Sequence, residues 1–197
     1  MTTSNHRKSE YNVDPIFLDR WSPRAFDGST MPKEDLLTIL DAGHWAPSAF
    51  NYQPWRFVYA LKGTPAFDKF LDILNEFNQG WAKTASALVF VFSDTLSRPA
   101  DGSEPKPYRS HSFDAGAAWG LLSLQAVKSG YFAHAMTGFS FDRALSELGA
   151  PEGFHVNAVV AIGKPGDKSV LPETKARISP RELGTKSLRH PMMFQKT

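Results

Sequence analysis

Ala46-Pro47-Ser48-Ala49-Phe50-Asn51-Tyr52-Gln53-Pro54-Trp55-Arg56-Phe57 joins a segment of helical periodicity to one of strand periodicity. Upstream, Leu36, Ile39, Leu40 and Gly43 follow helical spacing, and Pro47 bounds them. Downstream, Trp55, Phe57, Tyr59 and Leu61 alternate, which predicts a strand over 55–61 with one apolar face. Between the two lies a short, rigid connector of prolines and small polar side chains. Connectors of that kind are where a scaffold presents groups to a ligand.

Working outward, Pro32 suits a first helical turn, with Ser29 and Thr30 as nearby cap candidates. Residues 15–20 read as a short helix. After it comes Trp21-Ser22-Pro23-Arg24-Ala25-Phe26, where Pro23 biases Ser22 towards an extended backbone. Thr64-Pro65 opens another helix, whose stripe is Phe67, Phe70, Leu71, Leu74 and Phe77. Residues 87–92 form a nearly continuous apolar run, the pattern of a strand buried on both faces.

Residues 96–110 carry Pro99, Gly102, Pro105 and Pro107 and read as an exposed loop or lid. A long helix rich in small residues follows over 113–129, ended by Gly130. Its Asp114-Ala115-Gly116-Ala117-Ala118 start allows another backbone to approach closely. A strand over 131–136, a helix over 140–148 closed by Gly149, and a strand over 156–162 complete the pattern. Helices and strands mix without regular alternation, so the fold class is α+β. No G-x-G-x-x-G follows a strand, which argues against a Rossmann site.

Three regions are expected: an N-terminal arm over 1–14, one domain over 15–163, and a polar C-terminal arm over 164–197. The last has no periodicity sufficient for its own core, and reads either as an arm wrapping a neighbouring subunit or as a disordered terminus. The 197 residues, 42% of them hydrophobic, suffice for one core. The formal charge of +2 carries no nucleic-acid or membrane footprint. Cysteine is absent, which excludes disulfides and thiolate chemistry. The polar first ten residues hold no secretion signal, so a cytoplasmic location is expected. The histidines are scattered, with neither metal-site spacing nor a serine-histidine-aspartate triad.

Pro47-Ser48-Ala49-Phe50-Asn51-Tyr52-Gln53-Pro54-Trp55 resembles the proline-serine-x-x-asparagine-x-glutamine-proline-tryptophan signature of the nitroreductase family. Three further patches match that family in order. They are Arg20-Trp21-Ser22-Pro23-Arg24, then Asn78, and then Met136-Thr137-Gly138-Phe139 taken with Lys175-Ala176-Arg177. The resemblance spans Arg20 to Arg177. It implies a sandwich with a mostly antiparallel central sheet flanked by helices, and a homodimer that exchanges C-terminal arms.

It also implies an FMN-dependent oxidoreductase. NADH or NADPH would pass electrons to a small electron-poor acceptor, a nitroaromatic or a quinone, in ping-pong fashion. The flavin carries the chemistry, so no side chain is named as catalytic. Arg20, Trp21 and Ser22, with Lys175 and Arg177, match the phosphate end of the FMN site; guanidinium and hydroxyl donors suit that anion. Arg24 matches a basic residue at the pyrimidine side of the ring, where a cation raises the reduction potential. Asn78 matches an asparagine at the ring's polar edge, and Thr137 and Gly138 a turn whose amides face it. Pro47, Ser48, Ala49 and Asn51 would approach from the opposite subunit. A serine is common where Ala49 stands and a lysine where Trp81 stands, so those side-chain contacts are replaced or missing. His111, beside Arg109 at the end of the variable loop, is the substrate-contact candidate.

Two other classes stay open from sequence. One is the same FMN scaffold with flavin fragmentation, dehalogenation or dehydrogenation as its reaction. The other is a flavin-binding protein without turnover.

Overall fold

The computed structural model describes residues 7–99 and 101–171. A four-stranded sheet forms its middle layer. β1 (Trp55–Leu61), β2 (Ala87–Asp94), β5 (Phe132–Met136) and β6 (Phe154–Gly163) lie in the order β1-β2-β6-β5, with every neighbouring pair antiparallel. β1 runs against β2 from Trp55 opposite Ser93 to Leu61 opposite Ala87. The expected α+β fold with an antiparallel sheet flanked by helices is therefore observed.

β2 is buried along its whole length, and its alternation feeds two cores. Ala87, Val89 and Val91 face α2 (Lys33–His44) and α5 (His111–Lys128), packing on Leu36, Ile39, Ala118 and Leu122. Leu88, Phe90 and Phe92 face the other way, onto Phe67, Phe70 and Ile73 of α3 (Pro65–Ile73), Trp81 of α4 (Glu76–Ala82) and Ala144 of α6 (Phe141–Glu147). Each fully buried Leu, Ile or Phe is worth about 1.5–3 kcal/mol of transfer free energy, so both faces of β2 contribute to stability. Gly43 of α2 permits the close crossing of α5. A Cβ there would stand 3.0 Å from the Phe57 ring and 3.3 Å from the Ala118 carbonyl.

The helix ends follow local chemistry. Thr64 accepts from the Phe67 amide at 3.3 Å, with Pro65 behind it in the first turn. α5 and α6 close on Gly130 and Gly149, both with positive φ. At each, paired hydrogen bonds such as Tyr131 N–H to the Ala126 carbonyl (2.8 Å) form a Schellman closure.

Four expectations change. Ser29 does not cap α2: its amide and hydroxyl both donate to Asp27, at 2.9 and 2.7 Å, and Pro32 takes the cap position without a side-chain bond. The stripe from Phe67 to Phe77 is split between α3 and α4. The chain leaves the helix at Leu74, which bridges Phe139, and Asn75 starts a new helix by accepting from the Asn78 amide at 2.9 Å. Phe77 therefore faces outward, 42% exposed. Residues 96–110 hold a small hairpin, β3 (Leu96–Ser97) against β4 (Lys106–Pro107), tied down by the Arg98–Asp94 ion pair at 2.7 Å. Finally, α5 begins at His111, so Phe113 lies within it.

Both ends of the described chain pack on the domain. Arg7 belongs to the expected N-terminal arm, yet it donates to the Leu18 and Arg20 carbonyls at 3.2 and 2.6 Å beside α1 (Pro15–Asp19). Residues 164–166 pair with residues 25–27 of their own chain through the Phe26–Pro165 bridge and the Gly166 N–H to Ala25 carbonyl bond of 2.9 Å. Any crossing to a neighbour thus starts beyond them. Among the described residues no helix is long and apolar enough to cross a membrane.

Candidate functional site

Arg20 stands at the C-terminal end of α1, where the backbone turns extended. Its guanidinium Nη1 donates to the Ser22 hydroxyl at 3.3 Å. Burial, and then the neighbouring Arg7 charge, push the Arg20 pKa below its ordinary value. No carboxylate among the described residues forms an ion pair with Arg20 or Arg24. Arg24 lies with its guanidinium carbon 5.2 Å over the Phe77 ring, and its Nε is a buried donor with no acceptor among the described residues. A half-buried guanidinium without an ion-pair partner and a buried Nε–H without an acceptor call for an anion or a carbonyl-rich ligand.

His134, on β5, holds this basic segment in place. Its Nδ1 lies 2.8 Å from the Pro23 carbonyl, so that nitrogen carries the proton and donates. Its ring packs 4.7 Å from that of Trp81. Burial, reinforced by Arg24 and Arg20, pushes the His134 pKa down, so the imidazole is neutral at pH 7. Trp21 packs edge-on against Phe132 at 6.0 Å, with the Lys168 ammonium 4.8 Å over its ring.

The turn at Thr137-Gly138 meets the same region. Gly138 has no room for a side chain: a Cβ would fall 2.4 Å from Asn78 Nδ2 and 2.6 Å from Asn75 Nδ2. Asn78, expected at the edge of a bound ring, is 6% exposed. Its amide nitrogen donates to the Gly138 carbonyl at 3.0 Å, and its oxygen accepts from Trp81 Nε1 at 3.1 Å. Asn78 therefore braces the turn. Trp81, 1% exposed, is core.

The 47–53 connector forms a second group. Phe50, Asn51 and Gln53 all have positive φ, at 52°, 56° and 49°. Asn tolerates that conformation, whereas for Phe it costs roughly 1–2 kcal/mol. The connector is held from within its own chain. The Ala49 amide donates to Asp114 Oδ2 at 3.2 Å, and the Tyr108 hydroxyl reaches both the Ala49 carbonyl, at 3.0 Å, and Asp114 Oδ2. Ser48 Oγ accepts from the Gln53 amide at 3.0 Å, and Asn51 Oδ1 from Gln53 Nε2, also at 3.0 Å. Pro47, Phe50 and Asn51 are exposed. His111 lies near this group with Nδ1 2.8 Å from the Ser93 hydroxyl; burial and the His155 charge lower its pKa.

α5 links the two groups. Its residues 117, 119–121, 123 and 124 line a cleft of about 470 Å³ together with Phe17, Arg20 and Ser22, while its Asp114 holds the connector. Seven residues of helix separate Asp114 from Leu121, about 10 Å along the axis. One chain thus ties the Arg20–Arg24 segment to β5 through the Pro23–His134 bond, and exposes Pro47, Phe50 and Asn51 on the connector. Lys175 and Arg177 lie outside the described residues.

The sequence reading missed Arg7, Tyr108 and the role of Asp114. Arg7 had no motif to reveal it. Asp114 had one usable signal, because a carboxylate set among Ala and Gly in a helix of close approach needs donors once buried.

The comparisons with known proteins bear on this geometry. The family model described as "Nitroreductase family" matches residues 18–73 and 59–164. The chain belongs to the nitroreductase family. A crystal structure described as an oxidoreductase containing FMN is 60% identical, covers 89% of this chain and 88% of its own, and superposes with a TM-score of 0.85. An Archaeoglobus fulgidus protein called NADH dehydrogenase/NAD(P)H nitroreductase is 29% identical, covering 85% of this chain and 94% of that protein. A 15.4 kDa protein of Mycolicibacterium smegmatis, encoded in the ask 5' region, is 38% identical over 96 residues. That match spans 49% of this chain and 60% of the relative's length. As a nitroreductase-family fold, the chain has its basic segment and its glycine turn at one end of the sheet.

Proposed function

We propose that this nitroreductase-family protein is an FMN-dependent oxidoreductase that takes electrons from NADH or NADPH and passes them to a nitroaromatic, a quinone or a similar electron-poor small molecule. The observation that carries this reading is the buried Arg24 Nε with no acceptor among the described residues, in one segment with the desolvated Arg20 and its bonded Ser22. These donors fit FMN: two arginines and a hydroxyl for a phosphate and a carbonyl-bearing ring.

Arg20 and Ser22 hold the phosphate, with Lys175 and Arg177 completing that cradle and Trp21 beside it. Arg24 supports the pyrimidine side of the ring, where its charge favours the reduced, anionic form. Thr137 and Gly138 turn backbone amides towards the ring, with Asn78 bracing them. When bound, FMN supplies the two-electron chemistry, and the chain needs no side chain as acid or base. Donor and acceptor use one place in turn, which makes the kinetics ping-pong and requires no separate nicotinamide fold. His111 is the candidate contact for the acceptor.

The remaining ligands come from a second copy. Pro47 and Asn51 are exposed on the connector, and together with Ser48 and Ala49 they reach the partner's cofactor in a homodimer. Supporting this, α5 presents an open face: Phe113 is 82% exposed, and a Cβ at Gly116 or Gly120 would touch nothing within 4 Å. Trp45 and Phe50, 80% and 90% exposed, lie on the connector side. The C-terminal arm expected over 164–197, most of which lies outside the described residues, is assigned to the same exchange, and the dimer works in the cytoplasm.

An anaerobic visible spectrum of the protein with FMN, before and after NADH or NADPH, tests the reading. The bound-flavin bands bleach on adding the donor and return on adding a quinone or nitroaromatic. FMN binding without bleaching would mean another reaction on the scaffold, and no FMN binding would end the site assignment.

A further inference from the structure

The connector 47–53 is built at a cost and held by groups that the proposed cofactor chemistry does not use. Three consecutive-region residues that are not glycine, Phe50, Asn51 and Gln53, occupy the left-handed region. Such a backbone persists only where its surroundings over-determine it. Here the surroundings are two buried polar side chains from elsewhere in the chain. Asp114 is 3% exposed and Tyr108 7%. Together they engage both polar backbone atoms of Ala49: Asp114 Oδ2 accepts from its N–H, and the Tyr108 hydroxyl contacts its carbonyl. Ser110 Oγ adds a third donor to Asp114 at 3.4 Å, and Tyr52 of the connector packs edge-on against the Tyr108 ring at 5.1 Å.

We propose that Tyr108 and Asp114 are positioning residues that lock the connector in the shape with which Asn51 and its neighbours meet the partner subunit's cofactor. The inference rests on the function proposed above. Its reason is geometric. Ala49 immediately precedes the strained pair Phe50-Asn51, so fixing both of its backbone hydrogen-bonding groups sets the direction in which the Asn51 side chain leaves the domain. Tyr108 closes the 96–110 hairpin and Asp114 lies in the first turn of α5, so the lock ties three elements to one point. A buried carboxylate here is not required by the core, because Ala115 and Ala118 of the same helix pack into the apolar cluster without one.

Tyr108→Phe removes the hydroxyl and keeps the ring. The test is FMN affinity of the full chain, read by quenching of flavin fluorescence, in a double-mutant cycle with Asn51→Ala. Tyr108→Phe alone raises the FMN dissociation constant about tenfold, the scale of one hydrogen bond to a charged group. In the Asn51→Ala background the same change has less than about a twofold effect, since the group being positioned is gone. Equal effects in the two backgrounds, or a lowered Tm with unchanged FMN affinity, would overturn the proposal and leave Tyr108 a purely structural residue. Should Tyr108→Phe not fold, Asp114→Asn keeps an acceptor for the Ala49 amide and gives the same pattern at roughly threefold. Wild-type protein that fails to bind FMN overturns the proposed function itself. Normal FMN binding by Asn51→Ala overturns only the role of the connector.

Discussion

Arg20 is placed where burial works against its charge, and Arg24 buries an Nε with no acceptor among the described residues; a single substitution separates the two jobs assigned to them. In the proposed site Arg20 holds the phosphate, so Arg20→Ala should raise the dissociation constant for FMN by tenfold or more, at about the strength of a charge-assisted contact. Riboflavin, which lacks the phosphate, should bind the variant as it binds the wild type. Parallel fluorescence titrations with the two flavins check this, and an equal loss for both would remove Arg20 from the phosphate. Residue types at this scale were readable in advance: Arg20, Ser22 and Arg24 stand in an order suited to an anionic ligand. The direction of Asn78 was not. An asparagine at a helix start has the same sequence signature whether its amide faces a ligand or, as here, the Gly138 carbonyl and the Trp81 indole.

At the scale of elements, α5 has two faces with different duties. Asp114, Ala115, Ala118, Leu122 and Ala126 are buried against the domain, whereas Phe113 and Gly116 are exposed on the other side. Small residues on the open face suit a second helix at close range. Gly116→Leu should therefore leave the domain folded, because that position is exposed and a Cβ there meets nothing within 4 Å. It should weaken the dimer roughly tenfold or more, through overpacking across the interface. Sedimentation velocity over a concentration series reads the change; an unaltered distribution would mean that α5 is not at the interface. Element positions were largely legible, β1 to the residue at both ends, because alternation and helical spacing are local properties. The α3–α4 break was not, since the apolar stripe continues through it. What interrupts the helix is the pairing of Leu74 with Phe139, 65 residues away.

For the molecule as a whole, acid should weaken the fold before its carboxylates titrate. Burial lowers the pKa of both His134 and His111 from the ordinary 6.5. Below that value the unfolded chain binds protons that the folded chain refuses, so stability rises with pH. The contribution of each is fully present above about 6.5 and is lost as pH falls from there towards the lower folded pKa. Tm should thus decline between pH 7.5 and 5.5. His134→Asn, which retains a donor for the Pro23 carbonyl, should flatten part of that decline. A variant whose Tm falls in parallel with the wild type would show that His134 is not desolvated in solution.

The sequence by itself determined the local pattern: an amphipathic α2, a β2 apolar on both faces, glycines that end α5 and α6, and a polar connector between two prolines. It also determined the inventory of donors for an anionic cofactor, because their order along the chain matches a known family. Tertiary structure alone decided which partners those residues meet. It set the strand order β1-β2-β6-β5, turned Asn78 inward, brought Arg7 against Arg20, and joined Ala49 to Tyr108 and Asp114 across 59 and 65 residues. The physical reason is range. Periodicity and capping act within a turn or two of backbone, whereas a buried polar group takes whichever partner the packed layers place within hydrogen-bond distance.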